Sequence, residues 1–182
     1  MGVVMGLEFP HMDETIRNYM LEEIEYDDAN GSSYLSKRLH EAGCERWPII
    51  LREAAAHGND ESLAQAIRDD DCLNAHVPRT NKKTGVTSMT AMPVNAPEML
   101  AEGEFNRFYI RALCRYAIDN GIDHLVGCRA RYSENPRSSS QEAVGKSFDP
   151  AAVLDDLRTA QGEDTALRMP GGPNSGICLR LP

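Results

Sequence analysis

The stretch 105-FNRFYIRALCRYAIDNG-121 decides the fold of this chain more than any other part of its 182 residues. Its apolar residues recur at intervals of three and four, which is the spacing of one face of an α-helix. They are Phe105, Phe108, Tyr109, Ala112, Leu113, Tyr116 and Ala117. Asn120-Gly121 then ends the pattern, because glycine readily adopts the conformation that closes a helix. The stretch therefore predicts a core-facing helix.

Three arginines lie four residues apart on another face of this predicted helix: Arg107, Arg111 and Arg115. Guanidinium groups bind phosphates and carboxylates in bidentate geometry, so such a stripe suits an anion-binding surface. Pairing within the protein or at a subunit interface is the favoured interpretation, because the first part of the chain offers many carboxylates. The three arginines are therefore candidate partner-binding residues.

Upstream of this helix, the sequence predicts a small bundle of helices joined by short connections. Capping residues and glycine stops mark the ends of these helices. They run over residues 12–26, from Ser32 or Ser33 to Ala42, from Trp47-Pro48 to His57, and over residues 60–70. Trp47 lies at a corner of the bundle, where anchoring the packing is favoured over stacking on a ligand.

Downstream of the helix, residues 125–132 alternate between apolar and other side chains, which predicts a half-buried strand with Arg129 and Arg131 on one face. Asp149-Pro150 predicts the start of another helix, and residues 177–181 predict a short strand. The sequence thus predicts an α+β fold. An amino-terminal helical bundle is joined to a small, mainly antiparallel sheet packed by two helices.

The segment 74–97 differs from both of its neighbours. It is rich in Pro, Thr, Asn and Lys and lacks a helical period. We therefore predict an extended arm or linker between an acidic helical region, 1–73, and an α+β region, 98–182, although one compact domain is also compatible. The basic residues of the segment suit an acidic neighbour or a phosphate, and the plainer interpretation is an exposed tip. These residues are Arg79, Lys82 and Lys83.

The net charge of −9 is unevenly distributed along the chain. Residues 1–75 carry −10, residues 76–149 carry +2 and the last 33 residues carry −1. Strong acidity disfavours general nucleic-acid binding, because that affinity comes largely from neutralising phosphates. The asymmetry would suit head-to-tail contact between copies of the chain or docking on a basic partner, while a solvated acidic surface is the favoured interpretation for most of these charges.

No recognisable signature of catalysis, metal binding or membrane insertion occurs in the sequence. The five cysteines include no CxxC pair, and the five histidines fit no metal-binding spacing. No apolar run approaches the roughly 20 residues of a membrane span, and the first residues lack the features of a signal peptide. Asp69–Asp71 is interpreted as a solvated helix end and the glycine-rich segment 171–176 as a tight connection. We therefore expect no enzyme activity, no cofactor and no membrane partner.

Several blocks of the sequence resemble uncharacterised proteins encoded in tailed phages and prophage-like regions. The blocks are GCERWPIILREAAAHG (43–58), EGEFNRFYIRALCRYAIDNGI (102–122), ENPRSSSQEAVGK (134–146), FDPAAVLDDLRT (148–159) and GGPNSGICLRLP (171–182). The resemblance implies a virion structural protein of the head, of the cement, decoration or connector type. It also implies assembly in the cytoplasm of a bacterial host, and it carries no residue with a known chemical role.

The leading hypothesis is therefore a non-enzymatic phage head protein whose partners are other virion subunits, such as the major capsid protein or further copies of itself. The alternative is a nucleic-acid-associated regulatory module with an arginine-rich surface formed by Arg107, Arg111, Arg129 and Arg131. Arg137 would join these residues in an anion site. A third class, an unrecognised enzyme, would need a pocket that gathers distant His, Cys and carboxylate side chains.

Overall fold

The computed structural model describes residues 6–131, 138–161 and 175–182. In chain order, these residues form α1 (Glu14–Ala29), α2 (Glu41–His57), α3 (Asp60–Asp69), β1 (His76–Thr80), β2 (Thr87–Ala91), α4 (Ala96–Asp119), β3 (Leu125–Arg129), α5 (Ser138–Ala143), β4 (Ser147–Phe148), α6 (Pro150–Thr159) and β5 (Ile177–Arg180). The helices precede and flank two small antiparallel sheets, so the predicted α+β class is confirmed.

Helix α4 is the element around which the other helices pack. Helices α1, α3 and α6 each contact α4, and α2 contacts α1 and α3. Phe105, Tyr109 and Leu113 are fully buried, as their spacing predicts. Ile110 and Cys114 are fully buried as well, although they lie outside the predicted apolar face. A helix that is covered on several sides buries more of its circumference than one apolar stripe suggests.

Strands β3, β4 and β5 form a three-stranded antiparallel sheet in the order β4-β3-β5. The register places Cys128 of β3 opposite Cys178 of β5. Helix α4 contacts β5, and the Asn106 amide donates a hydrogen bond of 2.8 Å to the Ile177 carbonyl. Strand and helix are therefore joined by packing and by a polar contact inside the core.

Three helices begin at side-chain caps, two of which, Asn59 and Asp149, the sequence predicts. Asp13 caps α1, Asp149 caps α6, and Asn59 caps α3 in a reciprocal arrangement with Ser62. Each side chain accepts a hydrogen bond from a backbone N–H group that the first turn leaves without an intrahelical partner. The predicted starts of these helices are thus confirmed to within two residues.

The predicted helix over residues 32–42 is wrong. Residues 32–40 form no helix, because the two serines expected to cap it point back to α1. The Ser32 hydroxyl donates to the Asp27 carbonyl at 3.4 Å, and the Ser33 hydroxyl donates to the Asp28 carboxylate. Serine side chains can bind a preceding backbone as readily as a following one, and here they close α1.

Helix α2 begins at Glu41, earlier than the predicted start at Trp47-Pro48. Gly43, which the sequence suggests as a helix stop, lies in the first turn of α2. A side chain at Gly43 would collide with the backbone carbonyl of Cys72, so glycine permits this close approach. Trp47 is 3% exposed and belongs to the hydrophobic core, which fits an anchoring role in the packing.

One hydrophobic cluster contains buried residues from both flanking regions of the chain. Ile24, Trp47 and Leu63 enter it from residues 1–73, and Tyr109 and Leu157 enter it from residues 98–182. The side chains of these regions therefore share a core. The segment between them does not contribute a buried large apolar side chain until α4 begins.

Candidate protein-interaction surface

Residues 76–91 form a β-hairpin in the segment predicted to be an extended arm. Its register runs from His76 opposite Ala91 to Thr80 opposite Thr87. The turn is closed by the Asn81 N–H, which donates to the Val86 carbonyl at 2.9 Å. Gly85 has a φ of 70°, in the left-handed region that favours glycine. We call residues 75–94 the hairpin arm.

The hairpin arm is an exposed, exclusively basic part of the molecule. It contains no Asp or Glu, and its charged residues Arg79, Lys82 and Lys83 are all exposed. None of the ion pairs formed by the described residues involves them. With their +3 removed from the net charge of −9, the rest of the chain carries −12. The molecule thus presents opposite charges on its arm and its body.

The hairpin arm also exposes apolar side chains. Val86 is 63% exposed, Met89 64% and Val94 94%, which are the highest values for large apolar residues in the described ranges. Within those ranges β1 and β2 pair only with each other, so both outer strand edges carry unpaired backbone groups. A two-stranded hairpin is marginally stable in water, and an open edge is a template for another strand.

The arginine stripe of α4 faces the interior instead of a free surface. Arg111 is fully buried and donates to the Glu23 carboxylate at 2.8 Å and to the Asp27 carboxylate at 2.7 Å. Arg115 donates to Glu23 at 3.0 Å. The favoured internal pairing with the acidic first part of the chain is therefore what the structure shows. Arg111 is therefore too deeply buried to contact a partner, whereas the Arg115 side chain is 29% exposed and its role in partner binding stays a prediction.

Arg107 is also directed inward, where it closes the end of α6. Its guanidinium group donates to the Leu157 carbonyl at 2.6 Å and to the Ala160 carbonyl at 3.0 Å. These carbonyls lie at the carboxyl end of the helix, which carries a partial negative charge and lacks intrahelical donors. Arg107 therefore joins α4 to α6 and leaves the list of candidate partner-binding residues.

Glu23 is the shared acceptor of this arginine network. It is fully buried, and Arg158 of α6 donates to it at 2.5 Å. Burial alone would raise the pKa of Glu23. The hydrogen bond from Arg158, the charge and hydrogen bond of Arg111 and the hydrogen bond from Arg115 together hold the pKa below its usual value. The network keeps Glu23 ionised in the core.

The remaining predicted arginines do not complete an exposed anion site. Arg131 lies 2.6 Å from the Glu102 carboxylate in an ion pair. Arg129 is half-buried, and its two terminal nitrogens have no hydrogen-bond partner among the described residues. Arg137 lies outside the described residues, as do residues 171–174 of the glycine-rich segment. The three basic residues of the hairpin arm are the predicted site residues that stay exposed.

A sequence signal for the buried network was present on α1. Glu23 and Asp27 are four residues apart and flank Ile24, which continues the apolar face begun by Met20. Carboxylates at such positions face the same side of the helix as the core residues and need a buried cation. Combined with the arginines four apart on α4, the pattern predicts a pairing of the two helices.

Clusters of metal-ligating side chains and helices long enough to span a membrane are both missing from the described residues. Within them, no group of three or more His, Cys, Asp and Glu side chains is placed to hold a metal ion. The acidic residue Asp70 instead forms an ion pair with Arg46. None of the helices in residues 6–131, 138–161 and 175–182 combines the length and apolarity needed to cross a membrane.

Comparison with known proteins adds no relative to this picture. No protein-family model, no curated protein and no solved structure matches the chain. The assignment of a role therefore depends on the geometry described above.

Proposed function

We propose that the chain is a non-enzymatic structural protein of a phage head that binds other protein subunits through its hairpin arm. The observation that carries this proposal is an exposed two-stranded hairpin with three cations, no anion and open edges. Such an element gains little stability from its own chain and has both charge and backbone groups to offer a partner. The assignment to a phage head depends on the resemblance that the sequence of roughly residues 35–182 has to tailed-phage proteins, which no comparison tests.

The body of another copy offers a surface of complementary charge. Helix α2 exposes Glu41, Glu45 and Glu53 at intervals of four and eight residues, with Ile49 on the same face. Residues at these intervals lie in one row along a helix. A basic arm with exposed Val86 and Met89 suits such an acidic row with an apolar residue inside it. Contact between arm and body is head-to-tail, which generates rings or extended arrays.

Nucleic-acid binding is the weaker candidate function. It needs a stripe of free arginines to neutralise phosphates. In this chain Arg107 and Arg111 are buried and Arg131 is paired with Glu102. The net charge of the whole chain also opposes attraction to a polyanion.

Sedimentation velocity of the purified chain tests the proposal. We expect the sedimentation coefficient to rise between about 1 μM and about 500 μM protein at low salt, because complementary charges attract more strongly when screening is weak. We expect the double variant K82E/K83E to stay monomeric over the same range. The matched control is Lys37→Glu, which reverses an exposed lysine outside the hairpin arm. It should associate like the wild-type chain.

Mass spectrometry of purified phage particles provides a second, independent test. The proposal expects the chain among the proteins of purified particles. A chain that stays monomeric at every concentration and is missing from the particles would overturn it. Retarded migration of duplex DNA that is abolished by K82E/K83E, without self-association, would favour the nucleic-acid alternative.

A further inference from the structure

A cavity of about 180 Å³ opens between α1, α2 and α4, beneath the loop that joins α1 to α2. Ile24, Trp47, Leu51 and Phe108 line it and are each at most 6% exposed. Leu35, which also lines the cavity, is 47% exposed and marks its mouth. The cavity lies away from the hairpin arm, so the proposed assembly does not use it.

The polar groups that line this cavity are acidic. Its charged lining residues are Asp27, Asp28 and Glu104, and no Lys or Arg lines it. Asp27 is held by Arg111 and Asp28 by Arg52. Glu104 differs from both, because no hydrogen bond from a described residue reaches its carboxyl group. It is 7% exposed.

A mostly buried carboxyl group that no protein donor reaches depends on solvent for its hydrogen bonds, and its charged form is disfavoured by the loss of hydration. Burial raises the pKa of Glu104, while the charges of Arg107 and Arg111 act in the opposite direction. A donor with a positive charge that entered the cavity would supply the missing partner. Among the described residues no donor pairs with Glu104, so its carboxyl group is free to bind water or a ligand that enters the cavity.

We propose that this cavity binds a small organic ammonium ion with an apolar body, of the size of a benzylammonium ion. Its walls include the aromatic side chains of Trp47, Tyr34 and Phe108, whose faces attract cations. The volume slightly exceeds that of an apolar cavity of about 150 Å³ that holds benzene. One ring fits the apolar part, and the ammonium group pairs with Glu104.

Other ligand classes fit the lining less well. A carboxylate or phosphate would meet Glu104 and two carboxylates already paired with Arg111 and Arg52, and no free basic group lines the cavity. A neutral ring would fill the apolar part and leave Glu104 without a partner. Selectivity for the cation over a neutral donor such as an alcohol therefore follows from its charge, because a hydrogen bond between an ammonium group and a carboxylate is stronger than one from a hydroxyl group.

Proton release is a second expected property of the site. An ammonium ion next to Glu104 favours the ionised carboxylate, whereas burial favours the neutral acid. Binding of the cation should consequently strengthen as the pH rises through the titration of Glu104. A neutral ligand of the same shape should lack this dependence.

The intrinsic fluorescence of Trp47 reports on the site, because Trp47 is the single tryptophan of the chain. The full-length protein is titrated with benzylammonium, benzyl alcohol and benzoate at pH 7.5, roughly one unit above the range of ordinary carboxyl groups and histidine. We expect benzylammonium to bind at least about tenfold more tightly than benzyl alcohol, which corresponds to about 1.4 kcal/mol. Benzoate should not bind.

The variant Glu104→Gln removes the charge and keeps the shape. It should bring the affinity for benzylammonium to within about threefold of that for benzyl alcohol. Glu98→Gln is the matched control on α4, since Glu98 does not line the cavity. Equal binding of the alcohol and the ammonium ion by the wild-type chain, or no binding of the ammonium ion, would overturn the proposal. Because the comparison of the three ligands uses the wild-type chain, it tests the proposal even if the Glu104→Gln variant does not fold.

Discussion

Arg111 brings a full positive charge into the interior of the molecule, where the loss of hydration opposes folding. Its guanidinium group makes hydrogen bonds to Glu23 and Asp27, and it lies 4.9 Å from the centre of the Phe108 ring. The planar fork of arginine matches two carboxylates at once, which lysine does not. The side chain is thus specified by geometry as well as by charge.

Replacing this side chain should show how much the arginine network contributes to the free energy of unfolding. We expect Arg111→Met to lower the free energy of unfolding by about 3–5 kcal/mol, because it leaves buried Asp27 without its ion-pair partner and removes one of the three arginines that pair with Glu23. The matched control, Arg52→Met, breaks a pair with Asp28 at the surface and should cost less than about 1 kcal/mol. Urea unfolding of both variants measures the difference. Equal decreases in the free energy of unfolding for the two variants would show that the buried ion pairs stabilise the fold no more than a surface pair does.

Glu23 should make the stability of the chain depend on pH in the acid range. Its pKa is lowered in the folded protein, so its stabilising contribution is present above the unfolded value of about 4.3 and is lost as the pH falls through the folded value. We expect Glu23→Gln to be much less stable than the wild type at pH 7. The gap should narrow steadily below about pH 4.

Urea unfolding from pH 7 to pH 3 measures this effect. The control is Glu25→Gln, an exposed position on the same helix. Its unfolding curves should follow those of the wild type at every pH. A gap between Glu23→Gln and the wild type that is the same at pH 7 and pH 3 would contradict the assigned ionisation.

Two glycines within helices differ in what surrounds them. Gly43→Ala in α2 would push a methyl group into the Cys72 backbone, which cannot move aside easily, and should destabilise the protein by about 1–3 kcal/mol. Gly103→Ala in α4 meets no atom within 4 Å and should stabilise the protein by about 0.5–1 kcal/mol. Thermal unfolding distinguishes the two signs. Stabilisation by both changes would show that α2 is not held against residue 72.

Elements with strong local signals were predictable from the sequence. Helix α4 has a long apolar period, and α3 and α6 have caps at Asn59 and Asp149 that leave little choice. The helix predicted over 32–42 failed because Ser32 and Ser33 favour either direction of the backbone. Gly43 looked like a stop because nothing local reveals that the backbone of Cys72 approaches it.

At the scale of the whole molecule, charge is distributed in two different ways. The arginines of α4 neutralise carboxylates of α1 in the core, and the cations of the hairpin arm stay unpaired at the surface. In the sequence, the arginines of α4 and the cations of the hairpin arm are both simply clusters of basic residues. Only the first is opposite a carboxylate-bearing helix, and tertiary packing decides this. The candidate site was therefore predictable only in part. The sequence identified the basic segment of the arm, but it left open whether the arginines of α4 pair inside the chain or at a subunit interface.

The same packing also explains why the cavity was not foreseen. Trp47, Tyr34 and Glu104 are far apart in sequence and meet only where α1, α2 and α4 converge. Neither a spacing nor a motif relates them. Of these residues, only Trp47 was considered from the sequence as a candidate ligand contact, with anchoring of the helix packing as the favoured alternative.

The buried network has a consequence for synthesis of the chain. Glu23 receives hydrogen bonds from arginines that are 88, 92 and 135 positions further along the sequence. When α1 leaves the ribosome, its inward carboxylates have no cation to meet. Docking of the amino-terminal helix therefore waits until Arg111 and Arg115 of α4 have been translated, because earlier docking would bury lone charges, and Arg158 of α6 completes the network last. The protein is therefore expected to complete its fold only after nearly the whole chain has been synthesised.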